Sequence, residues 1–255
     1  MKFNKMDYIK IGESPEPGLR LRCICSGHKK IIGRIDWSPC GNYIASPSED
    51  RTIRIWNANT GKCIKILEGH EQRINCVAWS PNGEIIASGS EDRSVRIWDV
   101  NKKECVEILK HHSDAINCLT WSFDDAEIAS GGDDAKIFLW NINTKKISRV
   151  FSNHKNSVQS IASSKKEIIF ASVSFGFNRS NLFIWGGQYD KKYDISNLAY
   201  HFIPNCVAFS PENKIIAVGS SDGEVYIIDI EKQNFHISLE GHTDKVHGIS
   251  FSKNG

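Results

Sequence analysis

The sequence predicts an all-β protein assembled from one four-stranded unit repeated along the chain. The first observation is spacing: His28, His70, His112 and His154 recur every 42 residues. The second is that other series keep the same interval: Trp37, Trp79 and Trp121; Trp56, Trp98 and Trp140; Asp50, Asp92 and Asp134; Ser46, Ser88, Ser130 and Ser172. The third is content, since β-branched and aromatic residues fill the segments between turn signals and no helical period competes. A period in the forties with strand-like content marks one supersecondary unit repeated around a ring.

The second repeat shows the elements most clearly. "INCVAWS" (74–80) is almost wholly apolar, as a strand buried on both faces should be. "SPNGE" supplies Pro and Asn-Gly, the chemistry of a tight hairpin turn. "IIASGS" (85–90) reads as the second strand, "SVRIWDV" (94–100) as the third, and "ECVEILK" (104–110) as a more polar outer fourth. The turn recurs as "SPCGN", "SFDDA" and "SPENK". "GGDDAK" (131–136) lies where a strand-to-strand turn is due, so it reads as that turn and not as a phosphate loop.

Composition narrows the functional classes. The 255 residues are 40% hydrophobic and 24% charged, the balance of a soluble globular protein. A net charge of +2 with interspersed signs leaves no electrostatic footprint for nucleic acid and no polybasic membrane patch. The leader, residues 1–18, has no apolar signal-peptide core, and no apolar run approaches the roughly 18 residues that span a bilayer. A cytoplasmic protein is expected, and the sequon at Asn178 reads as chance. Of eight cysteines, Cys63 and Cys105, like Cys76 and Cys118, hold matched repeat positions. They read as small apolar, reduced residues, and no C-x-x-C pair offers a zinc site. Neither a metal nor a cofactor is expected.

With "GHEQRINCVAWSPNGEIIASGSEDRSVRIWD" on the page, the chain resembles the WD-repeat (Trp-Asp) family of β-propellers, with four-stranded blades. The resemblance covers residues 19–255, as five full repeats and the opening of a sixth, starting near His28, His70, His112, His154, Tyr200 and His242. It implies a buried hydrogen-bonded set in each well-matched blade: His28, Ser46, Asp50, Trp56; His70, Ser88, Asp92, Trp98; and His112, Ser130, Asp134, Trp140. Elementary chemistry agrees, because an Asp in a tight loop beside buried strands needs a His ring and backbone amides to satisfy it. The His, Ser and Asp are also the residue types of a hydrolase triad. Yet an active site is one convergent constellation, whereas this set is copied once per blade. No catalytic residue is assigned.

Later repeats depart from the pattern. The fourth keeps His154, Ser172 and Trp185 but has Ser163 in the first Trp series and Arg179 six residues before Trp185, where the others carry Asp. Its turn "SVSFGFNRSN" is three residues longer. The fifth has Tyr200 or His201 near the His position, Val218 for Ser, Ile228-Asp229 for Trp-Asp, and keeps Asp222. The last residues open a first strand and stop at its hairpin turn, while "LRLRCICSGH" resembles a fourth strand with no blade before it. The expectation is an incomplete ring, the N-terminal portion of a longer protein, with exposed strand edges.

The resemblance implies a non-catalytic scaffold that binds proteins or peptides on the propeller face. The alternative is a sensor or regulatory module of a larger signalling protein with an effector domain beyond residue 255. On the rim, Glu49, Glu91 and Asp133 recur just before the Asp, Arg51 and Arg93 follow it, and Arg73 precedes a first strand. These fit a polar surface for a peptide carrying basic residues, or charged turns that keep the face soluble. In the long turn, Phe175 and Phe177 are expected either to fill space left at Ser163 or, with Arg179, to anchor a partner.

Overall fold

The computed structural model describes residues 21–174, 181–186, 191–193, 203–232 and 234–252. Among the described residues, twenty strands form five four-stranded antiparallel sheets, each in chain order. The first holds β1 (Asp36–Trp37), β2 (Tyr43–Pro47), β3 (Thr52–Asn57) and β4 (Cys63–Glu68). The second holds β5 (Ile74–Trp79), β6 (Ile85–Ser90), β7 (Ser94–Asp99) and β8 (Glu104–Lys110). The third holds β9 (Ile116–Trp121), β10 (Glu127–Gly132), β11 (Ile137–Asn141) and β12 (Lys146–Phe151). The fourth holds β13 (Val158–Ser163), β14 (Phe170–Ser174), β15 (Asn181–Trp185) and β16 (Lys191–Tyr193), and the fifth β17 (Pro204–Phe209), β18 (Ile215–Ser220), β19 (Val225–Asp229) and β20 (Asn234–Leu239). These sheets are the blades of a β-propeller. No helix among the described residues is long and apolar enough to cross a membrane.

Burial follows the amino-acid content of each strand. The middle strands β6 and β7 are almost wholly buried, whereas the polar outer β8 alternates between exposed and covered positions. The outer strand also carries one extra residue opposite each matched Trp. Ile55 pairs with Lys65 but Trp56 with Cys63; Ile97 pairs with Glu107 but Trp98 with Cys105; Leu139 pairs with Arg149 but Trp140 with Ile147. Such a bulge bends the outer strand, and the fifth sheet keeps it opposite Ile228: Ile227 pairs with Ile237 but Ile228 with Phe235. In the fourth sheet the described residues of β16 pair with Leu182–Ile184.

Blades join through small residues. A Cβ at Gly89 would lie 2.5 Å from the Ile116 side chain, at Gly131 2.7 Å from Val158, and at Gly219 2.6 Å from Val246. Glycine on the second strand therefore lets a β-branched residue of the next blade seat directly on the sheet. Among the described residues, strand packing links each sheet to the next in sequence but not the fifth back to the first, and the ring is not closed. Residues 21–28 are not in a strand, although they resemble a fourth strand in sequence. They lie along the first sheet instead, where Arg22 donates to Asn59 Oδ1 at 2.8 Å. Likewise 246–251 carry no strand, since no second strand pairs with them among the described residues. The described cysteines are free, and Cys76, Cys118 and Cys206 are buried.

Candidate functional site

The three matched polar sets have one geometry. In the second blade the Trp98 indole N–H donates to Ser88 Oγ at 2.8 Å, and Ser88 Oγ lies 2.7 Å from His70 Nε2. His70 Nδ1 lies 2.7 Å from Asp92 Oδ2. An ionised carboxylate only accepts, so Nδ1 carries the proton and the Ser88 hydroxyl donates to Nε2. Asp92 also accepts the backbone N–H groups of Glu71 and Ser94 and the Ser94 hydroxyl. In the first blade the corresponding links are Trp56 to Ser46 at 2.7 Å, Ser46 to His28 at 2.7 Å and His28 to Asp50 at 2.9 Å. In the third they are Trp140 to Ser130 at 2.8 Å, Ser130 to His112 at 2.8 Å and His112 to Asp134 at 2.9 Å.

Local sequence explains the placement. The Asp occupies the turn between second and third strands, and the His lies on the chain entering the first strand. Their bond ties that entry to the sheet. Burial pushes the Asp92 carboxyl up, but the bonds from His70, Ser94 and Glu71 outweigh it and hold it well below the usual range. Asp50 behaves alike, with Thr52, His28 and Lys29 supplying the bonds, and Asp134 is lowered mainly by His112 against the same burial. Burial lowers His70 despite the nearby carboxylate, favouring the neutral ring. Ser88 and Ser130 are wholly buried and Ser46 nearly so, each already engaged by a Trp and a His. Each hydroxyl is thus engaged within its own blade.

The fourth blade keeps three members. Trp185 Nε1 donates to Ser172 Oγ at 3.1 Å, and Ser172 Oγ lies 2.8 Å from His154 Nε2. His154 Nδ1 is buried without a hydrogen-bond partner, and burial pushes the ring down to about 4. In the fifth blade Val218 and Ile228 are buried apolar residues, and Asp222 accepts the Glu224 N–H.

The rim candidates gather at one end of the sheets. The backbone N–H of Glu49 bonds to Ile31, that of Glu91 to Arg73, and that of Asp133 to Ala115, so each turn abuts a first-strand entry. Asp133 accepts the Asn117 side chain at 2.6 Å and the Ser157 hydroxyl, which leaves it less available than its exposure implies. Arg51 and Arg93 are exposed in left-handed conformation, φ 68° and 67°. Phe175, Phe177 and Arg179, like Tyr200 and His201, lie outside the described residues.

Arg73 lines a central cavity of about 550 Å³, together with Arg34, Lys245, Asn75, Asn117 and Asn205. No carboxylate is among the described lining residues. Arg34 Nη2 donates across it to the Asn205 carbonyl at 2.9 Å, while Arg73 Nε and Asn205 Nδ2 are buried without partners. Sequence reasoning singled out only Arg73 of these. The signal was present, since Asn75, Asn117 and Gln159 keep the 42-residue interval, but inside strands that read as core.

Comparison with known proteins agrees with this architecture. The family model described as WD domain, G-beta repeat matches residues 20–57, 61–99 and 103–141, and that of the anaphase-promoting complex subunit 4 WD40 domain matches 178–254. Curated relatives match over single repeats. A WD40 repeat-containing protein of Dictyostelium discoideum is 51% identical over 39 residues, 15% of this chain and 6% of the relative. Protein Mut11 of Chlamydomonas reinhardtii is 42% identical over 50 residues, 19% and 14%. The ribosome biogenesis protein BOP1 homolog of Drosophila virilis is 40% identical over 42 residues, 16% and 5%. The chain thus spans less than a fifth of the length of any of these relatives. Repeat interval, blade topology and family models together place the chain in the WD-repeat family.

Proposed function

We propose that the chain is a non-catalytic docking platform that binds a protein or peptide segment across the mouth of the central cavity. The observation that carries this reading is the cavity lining, whose described residues include three cations and several amides and no acid. Unmet donors at Arg73 Nε and Asn205 Nδ2 favour a ligand that presents acceptors, because buried polar groups gain most from being paired. An acidic segment supplies acceptors and charge together. The peptide carrying basic residues that the rim acids invite would then contact Glu49 and Glu91 only at the periphery.

The arginines on the rim support a surface role. A non-glycine residue in the left-handed region costs roughly 1 kcal/mol. The fifth repeat places Gly223, φ 90°, at the matching position, so the turn itself does not demand Arg51 or Arg93. What the curated relatives contribute is the repeat, matched over one unit's length, and not their processes.

The test is a fluorescence-anisotropy titration with a labelled oligo-glutamate peptide and an oligo-lysine control. Saturable, salt-sensitive binding of the acidic peptide is expected, weakened about tenfold or more by Arg73→Glu with the melting temperature unchanged. Equal binding of both peptides, or indifference to Arg73→Glu, contradicts the proposal.

A further inference from the structure

The segment 21–28 brings thiols to the open side of the first sheet. Its burial alternates: Leu21, Cys23 and Cys25 are half-buried, while Arg22, Ile24 and Ser26 are exposed. Successive side chains of an extended chain point to opposite sides, so Cys23 and Cys25 both face the sheet. The contacts agree, since the Cys23 thiol donates to the Ala58 carbonyl at 3.4 Å. A Cβ added to Gly27 would lie 3.2 Å from the Trp56 ring, which places that ring against the segment.

The sheet offers a third thiol on the same side. Cys63 pairs with Trp56 across β3 and β4, and directly opposite residues of an antiparallel pair share a face. Cys63 is exposed, so it meets solvent as well as the segment. The repeat builds this contact a second time. Forty-two residues on, Lys65 bonds to the Val100 carbonyl as Cys23 does to that of Ala58. Leu67 and Cys105, which match Cys25 and Cys63, pack in one apolar cluster. In the second blade one of the two is sulfur; in the first blade both are.

Gly61 lets the segment come close. Its φ is 69°, and an added Cβ would lie 2.7 Å from the Ile24 carbonyl oxygen. The matching residue of the second blade is Lys103, so the turn itself accepts a side chain and the close approach is what requires glycine.

We infer that Cys25 and Cys63 form a reversible disulfide under oxidising conditions, which pins the segment 21–28 to β4. Both are free thiols in the structure. Burial, with the neighbouring Cys23 and Cys63 thiols, raises the Cys25 pKa, so its thiolate is scarce near neutral pH and the exposed Cys63 reacts first. With glutathione disulfide as oxidant, the Cys63 thiolate attacks one of its sulfurs, forming a mixed disulfide and expelling one glutathione thiolate. The Cys25 thiolate then attacks the Cys63 sulfur and expels the second. Two protein thiols give up two electrons and two protons, and one glutathione disulfide becomes two glutathione thiols. This site is separate from the central cavity, and its fate does not decide that of the docking face.

The experiment treats the whole chain, dilute and fully reduced beforehand, with glutathione disulfide. The remaining thiols are then blocked and the peptides mapped without reduction by mass spectrometry. A Cys25–Cys63 link within one chain is expected, forming several-fold faster at about pH 8.5 than at about pH 7 as the Cys25 thiolate grows. Cys40, exposed on the turn between β1 and β2, reports simple modification and is expected to keep its glutathione. In Cys25→Ser, Cys63 is expected to keep glutathione in the same way. Cys63 that retains glutathione in the wild-type chain, an internal link from Cys63 that survives Cys25→Ser, or links formed solely between chains overturns the inference.

Discussion

His154 and Asp36 show how single buried groups set the pH response. Burial pushes the Asp36 carboxyl up to about 6, although it accepts the Trp79 N–H at 2.7 Å and the Trp37 N–H at 2.9 Å. Burial pushes His154 down to about 4. Between pH 6.5 and 4 the unfolded chain protonates His154 first, so acidification costs stability, about 3 kcal/mol over the whole window. Between pH 6 and 3.8 the native state protonates Asp36 first, so acidification restores a similar amount. The two oppose each other in the wild-type protein. Asp36→Asn is therefore expected to lose about 3 kcal/mol more than the wild type between pH 6 and 4, measured by urea unfolding at both. A parallel response of the two proteins would show that Asp36 titrates normally. Sequence carried the His154 and Ser172 positions through their 42-residue interval. It gave no hint of Asp36, whose environment comes from β5 of the neighbouring blade.

At the scale of elements, blade contact depends on what the second strand leaves open. Gly131 faces Val158, and its added Cβ would come within 2.7 Å of that side chain. Gly131→Val is expected to cost about 1–3 kcal/mol by overpacking the junction of the third and fourth blades, read as a lower melting temperature. Gly41→Ala serves as control, since no atom lies within 4 Å of its added Cβ, although a positive φ limits it to a small loss. The strands themselves were legible: "IIASGS" and "ECVEILK" became β6 and β8 residue for residue. The bulge opposite each Trp was not, because Ile64, Val106 and Ser148 share no residue type. The bulge also occurs opposite Ile228 in the fifth sheet, so it follows the strand register of the repeat and not one side chain.

Across the whole molecule, one Trp series reports the order of the blades. Trp121 Nε1 donates to the Ala78 carbonyl of the preceding blade at 3.1 Å, and Trp79 and Trp121 are buried. Trp37 holds the same position in the first sheet, which has no preceding sheet packed on it among the described residues, and it is 53% exposed. The other six tryptophans are buried. Iodide quenching is expected to reach one class of indole, and Trp37→Phe to remove it; a quenchable fraction that survives the substitution contradicts this arrangement. The repeated architecture was readable because one interval governs several residue types at once. The central cavity was not, since its lining is contributed one or two residues at a time by different blades. What unites residue, element and molecule is the role of the His–Ser–Asp–Trp sets in bracing each blade. Equilibrium urea unfolding of Asp92→Ala tests it most directly. Removing a buried carboxylate that accepts four hydrogen bonds, and orphaning the His70 N–H, is expected to cost about 3 kcal/mol. An unfolding curve superimposable on that of the parent would contradict the claim.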